Sequence, residues 1–214
     1  SDVVRSTPSR IVMVVVDGLG GMPHPDYGKS ELEIADIPTL DALASTSSVG
    51  ATIPVLPGIT PGSGPGHMAL FGYNPVKYLL GRGILEGMGI GADISQGDVA
   101  ARGNFCVLDV EGNVVDRRAG RLDTETCIIL CSKLNEIQLD GVEFYVYPVM
   151  DYRFVLVLKG KNISPNISET DPQTEGVIPL VSQPFSSEAQ ITAGFIKEFV
   201  SKATELLGSS DSAA

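Results

Sequence analysis

The sequence predicts an α/β chain, a core built on a parallel sheet and carrying a smaller α+β domain, and three stretches support that expectation. Ile11-Val12-Met13-Val14-Val15-Val16 is an apolar, β-branched run without alternation, the pattern of a strand buried on both faces. It leads into Asp17-Gly18-Leu19-Gly20-Gly21, and open α/β sheets bind ligands beyond the carboxyl ends of their strands. Pro61-Gly62-Ser63-Gly64-Pro65-Gly66-His67 then sets a serine and a histidine among glycines and prolines, where backbone can approach a bound group closely. Asp17 either caps a turn or holds a metal, and Ser63 is a candidate nucleophile beside it.

Taken in order, residues 1–10 are polar and form a loose lead-in to the first strand. Residues 18–28 are a Gly/Pro loop, in which His24 between two prolines reads as a solvated residue rather than a ligand. Thr39-Leu40-Asp41-Ala42-Leu43-Ala44, opened by Pro38, predicts a short helix. Residues 49–55 are a second strand candidate. A helix starting just after Ser63 would aim free N–H groups and a positive dipole end at whatever that serine meets.

Beyond Tyr73-Asn74-Pro75 the character changes. Strand-like runs at 104–110, 112–116, 142–149 and 154–158 surround a helical stretch at 124–139, which predicts the smaller α+β domain. Glu111-Gly112-Asn113 has the composition of a hairpin turn. The region also collects Arg82, Arg102, Arg117, Arg118, Arg121 and Arg153. Arginine forks match carboxylate and phosphate oxygens two at a time, so this set either grips a small dianion or forms a solvated face with scattered ion pairs. Residues 187–207 place Ile191, Phe195, Phe199, Leu206 and Leu207 among charges, an amphipathic helix.

The formal net charge of -11 over 214 residues argues against nucleic acid or an anionic membrane as partner, and any phosphate site has to be a local basic pocket. The three cysteines, Cys106, Cys127 and Cys131, form no CxxC pair, which fits unpaired thiols in a reducing compartment. Cys127 and Cys131 lie one helical turn apart and read as packing rather than as a metal site. No signal-peptide pattern opens the chain and no apolar run approaches membrane-spanning length, so the expectation is a cytoplasmic protein.

Several motifs in sequence order resemble the archaeal-type cofactor-independent phosphoglycerate mutases of the alkaline phosphatase superfamily. They are Val16-Asp17-Gly18-Leu19-Gly20, Pro57-Gly58 through Ser63 and His67, Gly72-Tyr73-Asn74-Pro75, Gly81-Arg82-Gly83, Gly97-Asp98-Val99-Ala100 and Asn104-Phe105. The series continues with Val115-Asp116-Arg117-Arg118-Ala119-Gly120-Arg121, Ser164-Pro165-Asn166 and Thr170-Asp171-Pro172. The resemblance implies an alkaline-phosphatase-like parallel-sheet core, present here in part, with an inserted α+β domain. Residues 1–76 would be the first part of the core, 77–185 the inserted substrate-binding domain, and 186–214 a helix and tail returning to the core.

It further implies two divalent metal ions (manganese, magnesium or zinc) and interconversion of 3-phosphoglycerate and 2-phosphoglycerate without bisphosphoglycerate. Asp17 and Ser63 would be metal ligands, with Ser63 transiently phosphorylated. Arg117, Arg118 and Arg121, together with Arg102, Arg153 and His67, would hold the substrate. Two positions depart from the family pattern, Gly64 where an acidic residue follows the nucleophile and Gln173 where a histidine is usual. The family draws further Asp and His ligands from a C-terminal part of the core, whereas this sequence has His24 and His67 alone. The expectation is therefore a piece of such an enzyme, inactive by itself, completed by a missing C-terminal half or associated as a homo-oligomer. A related phosphotransferase or phosphatase for another small phosphorylated hydroxy acid, and a non-catalytic binding module, remain alternatives.

Overall fold

The computed structural model describes residues 5–16, 18–59 and 61–208, and the chain groups into two units, Ser1–Thr52 and Ile53–Ala214. Asp17, the expected metal ligand, lies outside the described residues.

In the first unit, two helices form, α1 (Glu31–Ile34) and α2 (Pro38–Thr46). Ser30 and Glu33 cap α1 reciprocally, the Ser30 N–H donating to Glu33 Oε2 at 2.8 Å. Pro38 opens α2, where its fixed φ suits a first helical turn and its missing N–H costs nothing. The buried strand expected at residues 11–16 is not formed. These residues are in no ladder, and their exposure runs from 51% at Val15 to 94% at Ile11. A β-branched run becomes a strand only when neighbouring strands take up its N–H and C=O groups, and none of the described residues of this unit does so. Residues 49–55 are likewise irregular rather than a strand.

The second unit opens with α3 (Ser63–Leu70) and α4 (Arg82–Gly89) and contains two sheets. The larger has the order β1 (Val99–Asn104), β5 (Arg153–Lys159), β4 (Glu143–Pro148), and both ladders are antiparallel. The expected parallel sheet is therefore absent from the described residues. A short turn, with Asp151 at φ 53°, joins β4 to β5 and makes them a hairpin, and hairpins are antiparallel by construction.

One face of this sheet carries Val99, Phe154, Leu156, Leu158 and Val146 against α5 (Thr124–Leu134) and α6 (Gln190–Gly208), which contribute Cys127, Cys131, Leu134, Ile196 and Phe199. On the other face α4 lies so close that a Cβ at Gly83 would stand 2.1 Å from the Ala100 carbonyl oxygen. Val155 and Val157 are fully buried beneath this face, so β5 reads as the continuous apolar run of a strand covered on both sides.

Asp123 caps α5 by accepting the Thr126 N–H at 2.7 Å. The helix ends at Leu134, not at 139 as its sequence suggests. Asn135, still αR and bonded through its N–H to the Cys131 carbonyl, sends its side chain to β4, donating to the Val146 carbonyl at 2.9 Å and accepting its N–H at 2.8 Å. The two α5 cysteines are buried with Sγ atoms 3.9 Å apart and no disulfide. In α6 the buried stripe is Thr192, Ala193, Ile196 and Phe199, while Ile191 is 55% exposed. Thr192 rather than Ile191 faces inward, and its buried hydroxyl accepts the Ser164 N–H at 2.9 Å.

The small sheet pairs β2 (Val107–Leu108) with β3 (Val114–Asp116). The expected turn is present: Asp109 accepts the N–H groups of Glu111 and Asn113 at 2.9 and 2.8 Å, and Gly112 takes φ 86°.

Candidate functional site

Strand β3 delivers Asp116, and the chain then enters a turn that ordinary residues avoid. Ala119, Gly120 and Arg121 have φ values of 46°, 63° and 56°, three left-handed residues in succession. For a residue with a Cβ each such conformation costs on the order of 1 kcal/mol, and strain of this kind clusters at ligand-handling loops. The Asp116 carboxylate accepts the Arg118 N–H at 2.7 Å and the Gly120 N–H at 2.6 Å. Those two backbone bonds, with the nearby Arg118 and Arg121 charges adding to them, hold the Asp116 carboxyl below its usual range.

Arg117 points elsewhere. Its Nε and Nη2 donate to Asp171 Oδ1 and Oδ2 at 3.0 and 2.7 Å, and Nη2 also donates to Gln173 Oε1 at 2.7 Å. Asp171 in turn accepts the Gln173 N–H at 2.9 Å, with Gln173 at φ 60°. The Arg117 hydrogen bonds are the main reason the Asp171 carboxyl is held low, and the charge of Arg102 contributes as well. Two strained loops, each organised by an aspartate that accepts the N–H two residues on, are thus joined by one guanidinium.

Of the arginines expected to grip a dianion, Arg118 and Arg121 are exposed, and neither guanidinium forms a hydrogen bond within the described residues. Arg102, on β1, is half-buried and paired through Nη1 with Glu86 Oε1 of α4 at 3.1 Å. Arg153 lies opposite Asn104 in the β1–β5 register, its guanidinium 5.2 Å from the Tyr152 ring centre. Cys106 sits close enough to Asp171 and Asp116 for both to raise its thiol, after the larger effect of desolvation.

Ser63 is the first residue of α3, after Gly62 at the cap. The Gly66 N–H bonds to the Gly62 carbonyl and Pro65 has no N–H, so the free donors at this end are the amides of Ser63 and Gly64. Gly64 is buried, and a Cβ there would meet Leu85 Cδ1 at 2.9 Å. His67 Nδ1 lies 2.6 Å from the Ser63 carbonyl oxygen, which can only accept, so Nδ1 carries the proton. His67 therefore braces the backbone of Ser63 and is not hydrogen-bonded to its hydroxyl. No hydrogen bond or ion pair among the described residues joins α3 to the arginine loop.

A metal is not accounted for by these residues. Among the described residues no group of three or more His, Cys, Asp or Glu is placed to hold one, and the expected ligand Asp17 lies outside them. No helix of the described residues is long and apolar enough to cross a membrane. The sequence motifs contain Asp116 and Asp171, and Gln173 stands out as a departure from the family pattern, but the sequence assigns none of the three a role and does not single out Glu86. For the first, the signal was present as Asp116 four positions before Gly120.

The described site residues are thus an exposed serine at a helix start and a strained loop whose Arg118 and Arg121 guanidinium groups form no hydrogen bond within the described residues, on a mixed α/β scaffold. Comparison with known proteins makes this specific. The family model for 2,3-bisphosphoglycerate-independent phosphoglycerate mutase matches residues 44–212, and the chain belongs to that family. Relatives named probable 2,3-bisphosphoglycerate-independent phosphoglycerate mutase include one from Thermus thermophilus, 44% identical over 208 residues, covering 96% of this chain and 51% of the relative. Another, from Aquifex aeolicus, is 44% identical over 216 residues, covering 97% and 53%.

Among solved structures, the cofactor-independent phosphoglycerate mutase of Thermoplasma acidophilum aligns with a TM-score of 0.57 at 32% identity, over 89% of this chain and 50% of that one. A protein from Pyrococcus horikoshii aligns with a TM-score of 0.62 at 26% identity, over 90% and 43%. The chain spans about half the length of the curated relatives it matches.

Proposed function

We propose that this chain supplies the nucleophile and the substrate-gripping loop of a phosphoglycerate mutase that interconverts 3-phosphoglycerate and 2-phosphoglycerate without bisphosphoglycerate. The observation that carries the reading is the loop Asp116–Arg121, whose free Arg118 and Arg121 forks suit a molecule bearing a carboxylate and a phosphate. Ser63 takes the phosphoryl group: its Oγ–P bond forms as the substrate O–P bond breaks, and the proton lost by the Ser63 hydroxyl ends on the released glycerate oxygen. The glycerate, held by its carboxylate, turns over. Its other hydroxyl then attacks the phosphoserine, and Ser63 regains its proton. Arg102 lies close enough to Asp171 for its charge to act there, and His67 keeps the Ser63 backbone in place.

In this reading residues 1–76 belong to an alkaline-phosphatase-like core and 77–185 form the inserted domain. Residues 186–214 follow the inserted domain in sequence, and α6 is seated on that domain's sheet by Ile196 and Phe199. The family's divalent metals require ligands from the half of the relatives' length that this chain does not span, together with Asp17. Free thiols at Cys106, Cys127 and Cys131 suit a cytoplasmic, glycolytic setting.

The test is a protein carrying this chain joined to a segment that spans the rest of the relatives' length. It should convert 3-phosphoglycerate to 2-phosphoglycerate with no bisphosphoglycerate added, and Ser63→Ala should lower kcat by about a thousandfold or more. Conversion that survives Ser63→Ala, or that requires bisphosphoglycerate, overturns the proposal.

A further inference from the structure

We infer that Asp116 is a positioning residue: by accepting the Arg118 and Gly120 amides it holds the left-handed turn Ala119–Arg121 that presents the Arg118 and Arg121 guanidinium groups as a pair. The inference rests on the proposed function in that phosphoglycerate is taken as the ligand those groups hold.

The backbone does not choose this turn unaided. Ala119 and Arg121 both carry a Cβ into the left-handed region, and Gly120 is the one residue there without that penalty. Two backbone bonds close the turn, Arg121 N–H to the Arg118 carbonyl at 2.8 Å and Leu122 N–H to the Ala119 carbonyl at 3.1 Å. Short bonds from amides to an ionised carboxylate are among the strong hydrogen bonds of proteins, and Asp116 makes two of them within the loop.

Charge alone gives the residue no role in holding an anion. A carboxylate close enough to feel both Arg118 and Arg121 repels a phosphate and neutralises part of the attraction that the arginines offer. Its presence makes sense if the shape it imposes contributes more to binding than its charge removes.

The two effects have opposite signs, which makes the experiment decisive. The 214-residue chain and its Asp116→Ala and Asp116→Asn variants are titrated with 3-phosphoglycerate, with circular dichroism and thermal unfolding recorded on the same samples. Positioning predicts affinity weaker by about tenfold or more in variants that remain folded. Equal or tighter binding overturns the inference, and so does a lowered melting temperature with unchanged affinity, the mark of a merely structural role. Should Asp116→Ala fail to fold, the isosteric Asp116→Asn gives the same comparison.

If the unaltered chain binds no phosphoglycerate, the functional reading fails by itself, and the positioning role is read from amide hydrogen exchange. Faster exchange at Arg118 and Gly120 in the folded variants then supports it, and unchanged protection overturns it.

Discussion

Arg117 and Asp171 form a two-point ion pair across 54 positions of sequence, Nε to Oδ1 at 3.0 Å and Nη2 to Oδ2 at 2.7 Å. Both side chains are about one-third exposed. The pair ties the loop after β3 to the segment 169–173, and each of those segments contains residues at positive φ. The Arg117 guanidinium is thus engaged by Asp171 and Gln173, whereas those of Arg118 and Arg121 form no hydrogen bond within the described residues.

Removing the Asp171 carboxylate should loosen both loops. Asp171→Ala is expected to destabilise the chain by about 1–3 kcal/mol in chemical denaturation, the range for losing hydrogen bonds to a charged group. The pH dependence has a definite sign. The Asp171 carboxyl is held low in the folded chain, so its contribution is present above the usual carboxylate range and is lost as pH falls through the folded value. The stability difference between the unaltered chain and Asp171→Ala should therefore shrink steadily below about pH 4. A difference that stays constant to pH 2 contradicts the pair's role.

The core should respond according to burial rather than to helical pattern. Leu158, at 1% exposure, should cost about 2–5 kcal/mol on substitution by Ala. Ile191, which the sequence pattern places inward, is 55% exposed, and Ile191→Ala should change stability by no more than about 0.5 kcal/mol. Urea unfolding midpoints of the two variants check both values.

Two glycines should differ in the same way. Gly83→Ala would drive a Cβ to 2.1 Å from the Ala100 carbonyl oxygen, so α4 must shift off β1, at a cost of about 1–3 kcal/mol or more. Gly64→Ala meets instead the flexible end of Leu85 at 2.9 Å, which can move aside. The cost at Gly64 should be clearly the smaller of the two by thermal unfolding.

The cysteines offer a chemical test of the site's electrostatics. Native chain should react at one thiol, Cys106, with iodoacetamide, and at all three in denaturant, since Cys127 and Cys131 are buried. Asp171→Asn removes one of the two carboxylates that raise the Cys106 thiol, so alkylation at neutral pH should become faster. Rapid labelling of three thiols in the native chain would refute the packing described for α5.

Much of the second unit was legible in the sequence because its signals are local. The Glu111-Gly112-Asn113 turn and a helix start just after Ser63 each depend on a few adjacent residues, as does the helix opened by Pro38 in the first unit. What failed depended on distant partners. The run 11–16 has the composition of a buried strand, yet composition cannot supply the neighbouring strands that would make it one. The Asn135 side chain serves Val146 just past the end of α5, and on α6 Phe195, Phe199, Leu206 and Leu207 face the core as expected while buried Thr192, bonded to the Ser164 N–H, stands inward where Ile191 was expected. The arginines were identifiable as a group, but that Arg117 is engaged rests on Asp171 and Gln173, more than 50 positions away.

The most direct measurement is a calorimetric titration of 3-phosphoglycerate into the purified chain, repeated on Arg118→Ala and Arg121→Ala. Binding is expected at millimolar ligand or below, weakened about tenfold or more by either substitution. No binding by the unaltered chain, or binding that both variants retain in full, would contradict it.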